Sequence, residues 1–309
     1  MKPSFFLKRK NGIEWLVAPN LAQFPWLLHA FSTRRGGISK PPAKGLNLGG
    51  SHRNHPHTVA RNRQMFFGAI GAAAFPLALV HQIHSAEILQ VSRSGKHKLQ
   101  YWPSACKSGE ECASVDACGD ALITTEARLL LSVRTADCLP ILVVDPDLRV
   151  IAAIHSGWRG ALARVTEKTI GEMQRRFGAN PRRLFAALGP CVHPCCYEVG
   201  EEVVDAFSGR FTGSERYFQK ATDLGSGKRS FPGMPFLSMA PPGHERPTGS
   251  GLCLDLVAVA RDQLKSAGVP ASHIQASDFC TSCRSDLFFS YRKEGSATGR
   301  MMTVIGMRE

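Results

Sequence analysis

Four short apolar runs, Leu129–Val133, Ile141–Val144, Val150–Ile154 and Leu184–Leu188, are bounded by Pro, Asp or Gly and predict buried strands. Elsewhere the period changes. Residues 161–177 place Leu162, Val165, Ile170, Met173 and Phe177 at intervals of three to five, then Gly178 and Pro181. That spacing predicts an amphipathic helix with its stop signals. Asp255 can cap a second helix running to Ala267, closed by Gly268 and Pro270. The expected fold class is α/β, with mixed α and β elements. Two stretches, 92–119 and 208–251, are rich in Gly, Ser, Pro and Lys without periodicity and predict surface insertions in one domain.

The segment 129–160, LLLSVRTADCLPILVVDPDLRVIAAIHSGWRG, carries the most chemistry. Asp145-Pro146-Asp147-Leu148 suits a tight turn and is far too short for a parallel crossover, so the flanking strands should form an antiparallel hairpin. Pairing 145 with 148 and 142 with 151 sets Cys138 opposite His155. Directly opposed side chains have Cβ atoms about 4.5–5.5 Å apart. A thiolate and an imidazole at that distance can share a metal or act as a nucleophile and its base. Pro140 fits poorly in a central strand, and the ladder could end before the pair. Gly157–Gly160 then leads into the helix, whose N-terminus attracts anions, with Arg159 as a bidentate donor.

Further candidates are weaker. In HQIHSAEILQV (81–91), His84 interrupts a strand-like run, and His81 competes with it. Cys280-Thr-Ser-Cys283 is half of a structural zinc site, whose other half would come from Cys191, Cys195, Cys196 or the insertion, at no familiar spacing. Cys195 and Cys196 otherwise read as packing residues of a sharp loop.

Composition narrows the class. The 309 residues are 43% hydrophobic and 20% charged, which excludes a disordered or fibrous chain. No window nears the ~18 apolar residues of a membrane helix, and no signal peptide opens the chain, so a cytoplasmic protein is expected. In that setting the ten cysteines read mostly as reduced thiols. The formal charge of +13 is concentrated: residues 1–66 hold eleven Lys or Arg against Glu14 alone. Nucleic acid is one reading of that excess, but the segment lacks aromatics suited to base stacking, since Phe5, Phe6, Trp15 and Trp26 read as core.

The motifs FSTRRGG (31–37), KGLNLG (44–49), HQIHS (81–85), DALIT (120–124), TADCLP (135–140), AAIHSGWRG (152–160), GPCVHPCCYEVG (189–200) and CTSCRSDLFFSYRKEGSATGRM (280–301) resemble, in order, those of the laccase-domain family. Its members are also called multicopper polyphenol oxidoreductase-like proteins or purine nucleoside phosphorylases of the laccase-domain type. The resemblance covers about residues 15–306. It implies a single domain over 1–309, a mixed β-sandwich flanked by helices, and a His, Cys, His cluster holding zinc, with copper as the alternative. Carried onto this chain, the catalytic and metal ligands are His84, Cys138 and His155; only His84 comes from the resemblance alone.

The implied activity is phosphorolysis of adenosine, inosine, guanosine and 5′-methylthioadenosine, with adenosine deamination beside it. Purine nucleosides and phosphate are then the partners; the oligomeric state is left open. Arg34 and Arg159 are the phosphate candidates, Asn47 and Gln82 the hydrogen-bond partners for sugar or base. Ser85, Ser156 and His193 depart from the family's common Gly, Ala and Gly. Copper-dependent phenol oxidation ranks lower, because it needs several coppers and many His ligands, and the sole His-x-His pair, His55-Pro-His57, lies in a basic loop. A metal-free Cys138 hydrolase, including one that edits peptidoglycan precursors, is a further alternative.

Overall fold

The strands pair into two large sheets, seen in a computed structural model that describes residues 5–49, 56–94, 98–103, 117–221 and 250–308. In chain order the strands are β1 (Phe6–Lys10), β2 (Ile13–Val17), β3 (Leu27–Ser32), β4 (Leu77–Ala78), β5 (Ile88–Arg93), β6 (Leu99–Trp102), β7 (Ala121–Thr124), β8 (Leu130–Thr135), β9 (Leu139–Asp145), β10 (Val150–Ser156), β11 (Phe185–Leu188), β12 (Phe218–Lys220), β13 (Leu252–Leu254), β14 (Ile274–Ala276) and β15 (Met301–Met307). The helices are α1 (Pro19–Ala22), α2 (Pro56–Ile70), α3 (Trp158–Leu162), α4 (Val165–Phe177), α5 (Glu201–Ser208), α6 (Leu256–Ser266) and α7 (Tyr291–Glu294).

One sheet runs β1-β2-β3-β15-β8-β4 and the other β14-β11-β9-β10-β7-β5-β6; β12 and β13 form a small pair. Both large sheets are mixed, with parallel pairings at β4–β8, β5–β7 and β11–β14. Alternate side chains of each strand enter different cores. Leu142, Val144, Ile151 and Ala153 face Leu131, Val133 and Ile305 between the sheets. Ile141, Val143, Ala152 and Ile154 turn to the other side, under Val165, Ile170 and Met173 of α4 and Val259 and Leu264 of α6. The outer face of the first sheet, with Leu130 and Val304, is covered by Phe66 and Ile70 of α2. Strands buried on both faces need no polar alternation, which is why they read as continuous apolar runs.

The expected sandwich flanked by helices is present, with local differences. Asp145 pairs with Val150, and His155 stands opposite Pro140 rather than Cys138. The cause lies in the turn. The Asp145 carboxylate accepts from the N–H groups of Asp147 and Leu148, and Arg149 takes a left-handed φ of 52°, so the loop spans 146–149. A register shift of two leaves every side chain on its face, so Cys138 and His155 still share one. Pro140 sits in the central strand because the 140–155 pair exchanges no ladder bond: His155 N–H donates to Asp120, and the Pro140 carbonyl accepts from Gly189.

The helix expected over 161–177 is two helices. It starts early, at Trp158, and breaks at Arg164, whose φ is +61°. The Asp255 cap is as expected, accepting from Ala258 N–H at 2.9 Å, and Gly178 closes α4 at φ 70°. Phe6 is a correction: it is 40% exposed on the edge strand β1, whereas Phe5 and Trp15 are buried. From residue 208 onward Phe211 and Tyr217 join the buried apolar cluster under α6, so that stretch begins as core and not as a surface insertion. Residues 104–116 and 222–249 lie outside the described residues. Cys118 is disulfide-bonded, and the seven other described cysteines are free. Among the described residues, no helix is long and apolar enough to cross a membrane.

Candidate active site

At one end of the sandwich, two of the chain's crossings between the sheets carry residues of the site. The turn 136–138 carries the chain from β8 to β9, and the loop after β4 carries it to β5. Cys138 lies on the first crossing, His84 on the second, and His155 near the end of β10. Their ligand atoms, one from each residue, lie within 4.8 Å of one another. Cys138 Sγ is 4.0 Å from His84 Nε2, and the two imidazoles meet edge to face with centroids 4.9 Å apart. His81 stays outside, exposed and joined to Cys118 by an isolated backbone bridge.

Asp120, immediately before β7, fixes both histidines. It accepts from His155 Nδ1 at 2.7 Å, from the backbone N–H groups of His84 and Ser85 at 3.1 and 2.5 Å, and from Ser85 Oγ at 2.8 Å. With Nδ1 engaged, His155 directs Nε2 to the cluster, as a carboxylate-oriented metal ligand does. Ser85 thus has a use that glycine could not serve. His84 holds a left-handed φ of 57°, and Asp137, beside Cys138, one of 90°. Asp137 is held by Thr281 Oγ1 and Arg292 N–H, both at 2.6 Å.

The electrostatics follow from burial among these partners. Burial pushes the Cys138 thiol up, but the His155 cation outweighs it, with His84 assisting, and brings it down to about 6. Burial pushes His155 down, yet the Cys138 thiolate and the Asp120 carboxylate raise it to about 10. Asp120 is also opposed by burial and is kept below the usual carboxylate range by His155 and Ser85. Without metal, the pair is a thiolate and an imidazolium resting on a carboxylate.

Two imidazoles and a thiolate form a donor set suited to zinc. Gly157 leaves the room: a Cβ there would stand 3.0 Å from Cys138 Sγ and 3.1 Å from His84 Cδ2. The residues fit a resident metal. The family model for the multi-copper polyphenol oxidoreductase laccase matches residues 28–308. The chain belongs to that family.

Relatives of this laccase-family chain span nearly its whole length. It is 34% identical to a purine nucleoside phosphorylase of Deinococcus radiodurans, over 96% of this chain and 94% of that one. An adenosine deaminase, RL5, from an unknown prokaryotic organism is 31% identical over 90% and 93%. The crystal structure of YlmD from Geobacillus stearothermophilus superposes with a TM-score of 0.76 at 30% identity, covering 99% of this chain and 100% of that one. The family is one of enzymes, by the names of these relatives.

The other residues singled out from the laccase-family sequence are placed as follows. Arg34 stacks on Phe289 and bonds Glu294 and the carbonyls of Ser285 and Phe288, so it braces the 285–294 loop. Arg159 lies on α3, its guanidinium 4.3 Å from the Trp158 ring centroid. Gln82 uses both ends of its amide on the backbone of Arg134, at 2.8 and 2.9 Å. Asn47 Oδ1 accepts from Arg300 N–H at 2.9 Å, while its Nδ2 is buried with no partner among the described residues.

Asn47 and Gln82 therefore lead to a feature that the sequence did not reveal: Arg63, Arg134 and Arg300. Burial lowers all three; Arg63 falls to about 10, with Arg134 opposing its charge, and Arg300 in turn opposes Arg134. Cys138 and Asp137 pull Arg300 back up, which places it in the field of the cluster. Their side-chain hydrogen bonds among the described residues go to carbonyls, of Leu48, Val80, Thr298 and Gly299. Among the described residues no carboxylate forms an ion pair with any of them. Half-buried cations with no carboxylate ion pair among the described residues form a ready anion site.

Proposed function

We propose that this chain is a metal-dependent purine nucleoside phosphorylase, acting on adenosine, inosine, guanosine and 5′-methylthioadenosine, with adenosine deamination as a second activity of the same centre. The observation that carries the reading is the juxtaposition of a three-ligand His84–Cys138–His155 cluster with three half-buried arginines that form no ion pair among the described residues. Zinc held by these ligands would supply a Lewis acid with an open coordination position, with copper the alternative metal. The names of the relatives, phosphorylases and one deaminase, support the same substrate class.

The chain's own groups divide the work. In phosphorolysis a phosphate oxygen bonds to C1′ as the C1′–N9 bond breaks, and the base departs with the electron pair and takes up a proton. Arg300, Arg134 and Arg63 would hold the phosphate dianion, and the anion would in turn steady the oxocarbenium-like sugar. Asn47 and Gln82 act through Arg300 and Arg134, whose backbones they fix. Asp120 orients His155 and the backbone of His84. Phenol oxidation demands several coppers with His ligands; among the described residues, the only metal-ligand cluster containing His has three ligands.

Chromatography of adenosine incubated with and without phosphate tests the reading. Adenine and ribose 1-phosphate should appear only with phosphate, and inosine without it. A metal-loaded chain that turns over no purine nucleoside would overturn it.

A further inference from the structure

A second group of ligands stands apart from the histidine cluster. Cys195, Cys196, Cys280 and Cys283 bring their sulfurs within 4.8 Å of one another. Cys283 Sγ is 3.6 Å from Cys195 Sγ and 3.4 Å from Cys196 Sγ. A tetrahedral zinc bonded to four sulfurs at about 2.3 Å holds them roughly 3.8 Å apart. All four thiols are free, and one sulfur flanked by two others suits a shared ion better than a disulfide, which could join it to only one of them. We propose that these four cysteines bind one structural zinc ion, a metal site additional to the His84–Cys138–His155 centre.

The sequence around the cluster is built to present it. Cys195 and Cys196 follow Pro194 in the loop between β11 and α5, and Cys280 and Cys283 lie in the loop after β14. The loops are stitched beneath the sulfurs: Thr281 N–H donates to the Cys191 carbonyl at 2.9 Å, and His193 N–H donates to Cys280 Sγ at 3.4 Å. An N–H directed at sulfur tempers the negative charge of a thiolate site. Cys280 is buried, Cys196 half-buried, and Cys195 and Cys283 exposed, so an ion can enter from solvent. Four protein ligands leave no open position, which makes the site structural rather than catalytic.

Its position gives the zinc a task. Between two of its ligands, Thr281 holds Asp137, and Asp137 receives a further clamp where Val192 N–H donates to its carbonyl at 2.9 Å. Asp137 precedes Cys138. A zinc at the rim therefore pins the two loops that fix the turn carrying the inner thiolate, acting as a positioning device.

The test uses the full chain carrying Cys138→Ala, reduced and stripped of metal, titrated with Co(II) alone. The expected result is one equivalent of cobalt, with the intense thiolate charge-transfer and visible bands of a tetrahedral sulfur site, discharged by Zn(II). Adding Cys195→Ser with Cys283→Ser should abolish the bands. A second measurement needs no substitution: zinc should protect Cys195 and Cys283 of the native chain from maleimide labelling, read by mass spectrometry. The proposal is overturned by absent bands, by bands that survive the serine substitutions, or by labelling that zinc does not slow.

Discussion

The two thiol clusters differ in what surrounds them. The inner one has two imidazoles and one sulfur, mostly buried, oriented by Asp120 and adjoining three arginines. The outer one has four sulfurs at the rim, held by backbone bonds between two loops. On the proposed reading, three ligands and a charged environment would leave a position for substrate, whereas four ligands and a stitched loop would leave none. Ligand count and second-layer partners, more than the presence of cysteine, separate chemistry from scaffolding.

Breaking the inner cluster should have the largest effect. Cys138→Ala and His155→Ala are expected to remove inner-site zinc and nucleoside turnover while rim zinc stays, checked by metal content and product chromatography on one preparation. Asp120→Asn keeps the ligands but loses the charge that orients His155, and should lower zinc affinity or turnover by roughly 10–100-fold, read by chelator competition. Arg300→Gln removes one charged donor, worth about 1.5–3 kcal/mol, and should raise KM for phosphate by roughly tenfold or more with a smaller change in KM for adenosine.

Protonation sharpens the contrast between Cys138 and another buried thiol. Burial, followed by the neighbouring Cys280, pushes Cys191 well above an ordinary thiol, whereas the histidines bring Cys138 down to about 6. A lowered thiol pKa means that thiolate is present above that pH and lost as the pH falls through it. In the metal-free chain, iodoacetamide labelling of Cys138 should therefore halve near pH 6 with Cys191 unlabelled. Zinc should suppress the Cys138 labelling; labelling and hydrolysis that chelators leave unaffected would favour a metal-free Cys–His enzyme.

Much of this was legible because burial on both faces writes a strand as a plain apolar run, as at Val150–Ile154. Cys138 and His155 meet despite an error of two in the expected register, since an even shift keeps the face. What set the true register, the Asp145 carboxylate turning back on its own loop, looks in sequence like any turn aspartate. His84 lies on a crossing between sheets, where periodicity says nothing, and came from the motif resemblance. Asp120 and the arginines were missed for a related reason: they come from the residue before β7, from α2, from β8 and from the residue before β15, and only tertiary packing makes them neighbours. The half-site Cys280-Thr-Ser-Cys283 was visible, but its partners Cys195 and Cys196 are adjacent residues at an unfamiliar spacing.

The most direct test is a zinc titration of the stripped wild-type chain, following metal bound and adenine formed from adenosine and phosphate in the same samples. Adenine formation should rise in step with occupancy of the His84–Cys138–His155 centre and be absent from Cys138→Ala at every zinc concentration. Full phosphorolysis by the stripped protein, or by Cys138→Ala, would contradict the account.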